Sequence, residues 1–194
     1  MLRHYWSNLF AHEGAIYIMG STNDSHGAVA ISKSLDDGAT WQQSILFDDA
    51  RYTTGATAVL IDTGPSATGQ PVKIFRAFER VEKDHARSSV IVSKRIPLGT
   101  DLLAKAGWEM TKPLIFNESY VPKSWGPVVQ PIQPWVEGNA VRGPDGAVYN
   151  LLRLENGWSV KDPIGNKAIL LRAPHATALQ EFVEIIDMPG GSSK

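Results

Sequence analysis

Short apolar segments rich in Val, Ile, Tyr, Trp and Phe alternate along this chain with turns that contain Gly, Pro, Asn and Asp. Such runs predict β-strands, and their even spacing predicts an all-β sandwich, barrel or propeller. The predicted strands are Tyr5–Phe10, Ala15–Met19, Ala28–Ser32, Trp41–Leu46, Thr57–Ile61, Val72–Phe78, Ser89–Ser93, Trp108–Ile115, Val136–Arg142, Val148–Leu152, Ala168–Leu171 and Phe182–Ile186. One short helix is predicted near Asp101–Lys105.

The predicted strands form three sets of four that resemble one another. The third strand of each set ends in a small or basic residue, and the fourth opens with an aromatic one: Trp41, Trp108 and Phe182. Repeated units of four antiparallel strands are typical of propeller blades, here at about 5–47, 53–117 and 135–188. A double sandwich is the competing fold, because the repeats share little sequence identity.

The 194 residues are 43% hydrophobic and 20% charged, which is typical of a globular domain. The formal net charge of −1 gives no indication of a nucleic-acid partner. Without cysteine, the chain has no disulfide, thiolate metal site or cysteine nucleophile. The five histidines lack metal-ligand spacing and are predicted to be solvated, so neither a metal site nor a cofactor is expected.

The compartment is left open by the sequence. No apolar run approaches the roughly 20 residues that a membrane-spanning helix needs, and the opening Met1–Trp6 has no signal-peptide core. A secreted or periplasmic location of a full-length protein is compatible with this. Three blades do not close a propeller ring, so we expect the 194 residues to be a single partial propeller domain, with the remaining blades C-terminal to it.

The segment Ser34–Trp41 fits the pattern Ser-x-Asp-x-Gly-x-Thr-Trp in full, at the turn between the third and fourth strands of the first set. In such a turn the Asp36 carboxylate accepts backbone hydrogen bonds, Gly38 takes a positive φ, and Trp41 is expected to pack between blades. The segment resembles the Asp-box of sialidases and their relatives. The resemblance implies a sialidase-type β-propeller, six-bladed when complete.

A second segment, Trp135–Arg153, is similar to the part of bacterial sialidases in which a Glu opens one strand and an Arg closes the next. By that resemblance Glu137 is the partner of a nucleophilic tyrosine, and Arg153 is one of three arginines that hold the substrate carboxylate. A tyrosine with a pKa near 10 needs such a base, and a guanidinium suits a carboxylate. The tail Ile185–Lys194 also resembles uncharacterised six-bladed sialidase-like bacterial proteins.

The chain departs from the sialidase pattern in two places. The first strand, Tyr5–Leu9, has no arginine where the family has Arg-Ile-Pro. No aspartate stands within Thr53–Gly55, where the resemblance places the family's acid/base; Asp48 and Asp49 are close but belong to the preceding predicted turn. The nucleophilic tyrosine and the third arginine would lie beyond Lys194. Sialic-acid hydrolysis is therefore a hypothesis that rests on two matched residues.

Further candidate substrate-binding residues lie on the predicted inner strands. Arg76 and Glu79 are charged residues flanked by Phe, which indicates either a polar cleft or a buried ion pair. Asn139 is expected to share the side of Glu137 by strand alternation. Trp125 and Trp158, in predicted loops, are the indoles that would stack on a sugar.

The sequence thus predicts a sialidase-like glycoside hydrolase that acts on a carbohydrate in the central cleft, with Glu137 catalytic and Arg153, Arg76, Glu79 and Asn139 binding the substrate. The alternative is a non-catalytic propeller module that binds glycan or protein. A blade array without any ligand is a third possibility.

Overall fold

The chain is all-β. The computed structural model describes residues 3–24, 26–55, 57–63, 72–82, 87–126, 135–154 and 167–188. The strands are β1 (Tyr5–His12), β2 (Ala15–Ser21), β3 (Gly27–Ser34), β4 (Gln42–Thr53), β5 (Leu60–Asp62), β6 (Lys73–Val81), β7 (Arg87–Arg95), β8 (Trp108–Met110), β9 (Leu114–Ile115), β10 (Trp135–Arg142), β11 (Val148–Leu154), β12 (Lys167–Ala173) and β13 (Glu181–Asp187). Among the described residues, short 3₁₀ helices occupy Glu118–Tyr120 and Lys123–Trp125.

The strands are arranged in two antiparallel sheets. The first follows the order β1-β2-β3-β4-β6-β7-β8, with β5 on β6 and β9 on β7; the second is the four-stranded β10-β11-β12-β13. The first two predicted sets share one sheet because β4 continues past the predicted end at Leu46. Its last residues pair with β6, Tyr52 with Arg80 and Thr53 with Glu79.

Burial alternates along β11, whereas β3, β6 and β7 are buried along almost their whole length, so both faces of the first sheet are covered there. The largest core cluster lies within the first sheet and includes Met19, Ile31 and Val90. Another cluster takes Phe75, Ala77 and Ile91 from the first sheet and Ala140 and Val148 from the second. The two sheets are therefore docked through an apolar contact, and their relative position is fixed by burial.

The helix predicted near Asp101–Lys105 is wrong. These residues form turns in which the Asp101 carboxylate accepts a hydrogen bond from the N–H of Leu103, an arrangement that competes with a helix. The Lys94 ammonium donates to the carbonyls of Asp101 and Ala104 and fixes the turn from outside. In the part of the chain that the structure describes, no helix has the length and apolar character needed to cross a membrane.

The turn at Ser34–Trp41 has the hydrogen bonds expected from its sequence. Asp36 accepts from the Ser34 hydroxyl and from the N–H and hydroxyl of Thr40, and Gly38 has a φ of 91°. Trp41 is half-buried and donates its indole N–H to the Gly38 carbonyl at 3.0 Å. Its ring thus lies against its own turn, and it is not a member of the core clusters among the described residues.

Candidate functional site

A polar cavity of about 300 Å³ lies where the ends of β1, β4, β6 and β10 meet. Its walls come from both sheets, so it exists only because the sheets are docked. The described residues that line it are Trp6, Asp24, Thr53, Thr54, Gly55, Glu79, Arg87, Val136, Glu137 and Arg153. Three carboxylates and two guanidiniums in one concave site make it the candidate functional site.

Two β-bulges point side chains into this cavity. The register of β1 against β2 shifts between Tyr5 and Asn8, and that of β10 against β11 shifts between Val136 and Asn139. Within these irregularities Trp6 has a φ of 49° and Glu137 a φ of 58°. A positive φ is costly for a residue with a side chain and persists only where surrounding contacts enforce it. Bulges of this kind re-aim side chains at functional sites.

One strand, β6, supplies a contact to both bulges. The Glu79 side chain is 1% exposed, and its carboxylate accepts the backbone N–H of Gly138 at 3.0 Å. Arg76, with an exposure of 0%, donates to the carbonyl of Trp6 at 2.6 Å and also to that of Met19. Two buried residues of opposite charge on one strand therefore hold the backbone at the two irregular sites.

Burial dominates the electrostatics of these two groups. It raises the pKa of Glu79 to about 7, against the opposing effects of the Gly138 hydrogen bond and of the nearby Arg87 cation. Burial also lowers the pKa of Arg76 to about 10. Glu79 thus titrates near neutral pH within the wall of the cavity.

The structure brings Glu137 and Arg153 together. The Arg153 Nε donates to Glu137 Oε2 at 2.8 Å, across the pair of strands β10 and β11. The Glu137 side chain also lies against Gly55, where an added Cβ would stand 2.5 Å from Glu137 Cγ. A side chain at position 55 would displace Glu137, so the segment that follows β4 limits where the Glu137 side chain can lie.

Asp24, in the turn between β2 and β3, adds an exposed carboxylate that sequence reasoning missed. Its Oδ1 accepts the Trp6 indole N–H at 2.6 Å, and its carbonyl accepts the Thr53 hydroxyl at 2.8 Å. We expected an acid near Thr53–Gly55; those residues do line the cavity, and the carboxylate beside them comes from Asp24. A polar residue in a turn has no hydrophobic periodicity, so only the fold could reveal it.

The other candidates lie elsewhere. Asn139 follows the β10 bulge, which interrupts the strand alternation that was to place it beside Glu137. It is not among the described residues that line the cavity, and its Oδ1 is buried without a hydrogen-bond partner among them. Trp125 packs against the Trp135 core cluster, and Trp158 lies outside the described residues.

The histidine prediction is wrong in part. His12 is 7% exposed, and His4, which is half-buried, pairs its Nε2 with the Ser32 hydroxyl at 2.5 Å. His26 and His175 are exposed, and His85 lies outside the described residues. Within the described ranges, no group of three or more His, Cys, Asp or Glu side chains could hold a metal ion.

Comparison with protein families and with curated proteins finds no match for the chain. Solved structures do share its fold. The Hadza microbial sialidase Hz136 superposes with a TM-score of 0.50 at 14% identity, covering 92% of this chain and 32% of that one. The chain has a β-propeller-like fold.

Trypanosoma rangeli sialidase gives the same TM-score of 0.50 and the same identity of 14%, covering 93% of this chain and 30% of its own. The chain thus spans about a third of the length of these two sialidases. The GH43_1 enzyme from Xanthomonas citri complexed with xylose aligns at 14% identity with a TM-score of 0.48, over 94% of this chain and 56% of that one. Within this propeller-like fold, the Glu137 cavity lies where the two sheets meet.

Proposed function

We propose that the cavity around Glu137 binds a carbohydrate and hydrolyses its glycosidic bond, in the manner of a sialidase-like glycoside hydrolase. The observation that carries the proposal is the Glu137–Arg153 ion pair of 2.8 Å, held in one cavity with the exposed carboxylate of Asp24. Glycoside hydrolysis needs two acid/base groups at one site, and sialidases use a tyrosine nucleophile assisted by a glutamate.

Each lining group has a role in this proposal. The Asp24 carboxyl donates a proton to the leaving-group oxygen as the glycosidic bond breaks. Glu137 accepts the proton of the attacking hydroxyl, which the resemblance to sialidases assigns to a tyrosine and whose oxygen bonds to the anomeric carbon; water then cleaves that bond and releases the sugar. No described tyrosine lines the cavity. Arg153 holds the Glu137 carboxylate in place through their ion pair and hydrogen-bonds polar groups of the sugar.

Trp6 supplies the apolar surface that a sugar ring requires. Its side chain is 50% exposed although it carries a large apolar ring, and its indole N–H is fixed by Asp24. Aromatic rings with one polar edge are suited to stack on the C–H face of a sugar while hydrogen-bonding around it. A cavity of about 300 Å³ is at the lower end for small-molecule sites, which fits a single sugar unit.

Arg76 and Glu79 have a different role in this proposal from the one their sequence suggested. Arg76 is fully buried and donates to backbone carbonyls, so we assign it to positioning Trp6. Glu79 reaches the cavity wall, but its carboxylate is bound to the backbone beside Glu137. We assign it to positioning Glu137.

The experiment is hydrolysis of a panel of 4-methylumbelliferyl glycosides, a sialoside included, with sugar binding measured in parallel. Variants Glu137→Gln and Asp24→Asn are compared with Glu184→Gln, an exposed carboxylate on β13. The hydrolase is supported if the parent chain turns over one glycoside, and if this turnover falls by a factor of about 10² to 10⁴ in Glu137→Gln and Asp24→Asn but not in Glu184→Gln. Saturable binding without turnover, lost in Glu137→Gln, would instead support the non-catalytic glycan-binding module. If the chain shows no turnover and binds no sugar, both the hydrolase and the glycan-binding module are refuted.

A further inference from the structure

We propose a second binding site, separate from the Glu137 cavity, for a small organic carboxylate with an apolar body. The site is a cavity of about 340 Å³ between the start of β6, the end of β7 and the β10–β11 turn. It shares no described lining residue with the Glu137 cavity. Lys73 lines the new cavity and Glu79 the other, six residues apart on β6, which corresponds to roughly 20 Å.

The inner walls of this cavity are apolar and come from both sheets. Phe75 and Ile91 contribute from the first sheet, and Val148 and Ala173 from the second. All four belong to the core cluster that docks the sheets, or pack against it. The cavity is therefore a gap that this docking leaves open, lined by the same side chains that exclude water elsewhere in the interface. Such walls favour the apolar body of a ligand.

The mouth of the cavity is cationic. Lys73, Arg95 and Arg142 line it together with a single carboxylate, Asp62, and three cations with one anion leave a formal charge of +2. Arg142 forms an ion pair with Asp62, so the charges of these two side chains cancel. The excess charge therefore belongs to Lys73 and Arg95.

Lys73 and Arg95 stand directly opposite each other in the β6–β7 ladder. Like charges in this position repel and destabilise a sheet. Lys73 has a partner, Glu109, at 3.5 Å, but the Glu109 side chain is 44% exposed, and exposed pairs contribute little. Arg95 is exposed and makes no ion pair with another residue in the described ranges. A bound anion between the two cations would remove their repulsion.

The chemistry of the site selects the ligand. A guanidinium fork and an ammonium suit a carboxylate. The Lys73 ammonium also lies 5.3 Å from the centre of the Phe75 ring, so the charged mouth and the apolar wall are adjacent. The volume is within the range of small-molecule sites. A carboxylate on a single ring or a short branched chain would fill it with the charge at the mouth.

The test is calorimetric titration of the full chain with benzoate as the probe. Benzamide, which has the same shape without the charge, and inorganic phosphate, which has charge without the ring, are titrated in parallel. We expect saturable benzoate binding, with benzamide and phosphate at least tenfold weaker. Absence of saturable benzoate binding, or equal affinity for either control ligand, overturns the proposal.

Variants locate the binding in this cavity. Arg95→Gln, at an exposed position, should weaken benzoate at least tenfold. Arg172→Gln is the matched control, because Arg172 pairs with Asp145 and Glu181 outside the cavity. Ala173→Leu fills the apolar end and should abolish binding while its far-ultraviolet circular dichroism stays that of the parent chain. If it fails to fold, Arg95→Gln alone decides, and unchanged affinity in that variant refutes the site.

Discussion

The carboxylate of Glu79 accepts the backbone N–H of Gly138 at 3.0 Å, immediately beside Glu137. Glu137 has a φ of 58°, and Gly138 is the next residue of the bulge. A buried side chain on β6 thus holds the backbone that carries the carboxylate of the candidate site, in addition to the contacts that the Glu137 side chain makes with Gly55 and Arg153. The ionisation of Glu79 and the geometry of Glu137 are consequently linked.

The first prediction concerns the pH dependence of stability. Because burial raises the pKa of Glu79 from 4.5 to about 7, the folded chain keeps a proton that the unfolded chain loses between these values. The free energy of unfolding therefore contains a contribution that falls as pH rises from about 4.5 to about 7, by roughly 3 kcal/mol at most.

Urea unfolding from pH 4.5 to about pH 8 would measure this contribution. Glu79→Gln is the reference, since an amide cannot titrate and its carbonyl can still accept the Gly138 N–H. We expect the stability of the variant relative to the parent chain to increase across this range. A difference that does not vary with pH would contradict the assignment.

A second prediction follows from the buried guanidinium. Arg76→Lys keeps the charge but loses the planar fork that donates to the carbonyls of Trp6 and Met19. We expect it to destabilise the fold by about 1 to 3 kcal/mol, because buried carbonyls lose their donors. Arg172→Lys, at a half-exposed site, should stay within about 0.5 kcal/mol of the parent chain in the same denaturation experiment.

A third prediction separates the site from overall stability. In Gly55→Ala the new methyl group would overlap the Glu137 side chain, so we expect Glu137 to be displaced and sugar binding or turnover to fall at least tenfold. Gly99→Ala is the comparison, because Gly99 has a φ of 78° and open space around it. That variant should lose about 1 kcal/mol of stability and leave the site unchanged. Equal loss of function in both would show that the effect is not local.

A fourth prediction concerns the turn at Ser34–Trp41. Hydrogen bonds from Thr40 and from Ser34 lower the pKa of Asp36 below its ordinary value of 3.8. Asp36 therefore stabilises the folded chain at pH values above 3.8, and this contribution disappears as pH falls through its lower folded value. Asp36→Ala should lower the melting temperature at neutral pH, and the gap should narrow in strong acid. A gap that widens with acidity would be inconsistent with these bonds.

Much of the fold could be predicted because strand alternation is a local property of the sequence. Every predicted strand overlaps a strand of the structure, and the all-β propeller class is confirmed. The continuation of β4 to Thr53 was missed, since it depends on pairing with β6, which lies far along the chain. The helix predicted at Asp101–Lys105 does not form, because the Asp101 carboxylate binds the Leu103 N–H and the Lys94 ammonium binds the turn carbonyls.

Less of the candidate site could be predicted. The spacing of Glu137 and Arg153 predicts that both belong to one site, and in the structure they form an ion pair. The bulges at Trp6 and Glu137 could not be foreseen, because they depend on buried contacts from Arg76 and Glu79. Asp24 reaches the cavity only through the path of the chain between β2 and β3.

In the part of the chain that the structure describes, the first sheet continues from β4 to β6 through two residue pairs, Tyr52 with Arg80 and Thr53 with Glu79. By contrast, β1 to β4, β6 with β7, and β10 to β13 are hairpins of neighbouring strands, which need little loop closure to form. In the order of folding, these hairpins are expected to come early and the junction late. The Glu137 cavity, built across that junction and the docked second sheet, would then be among the last parts to assemble. Ligand binding at this cavity would therefore be a stricter test of complete folding than the measured β-strand content, because strands can form before the cavity does.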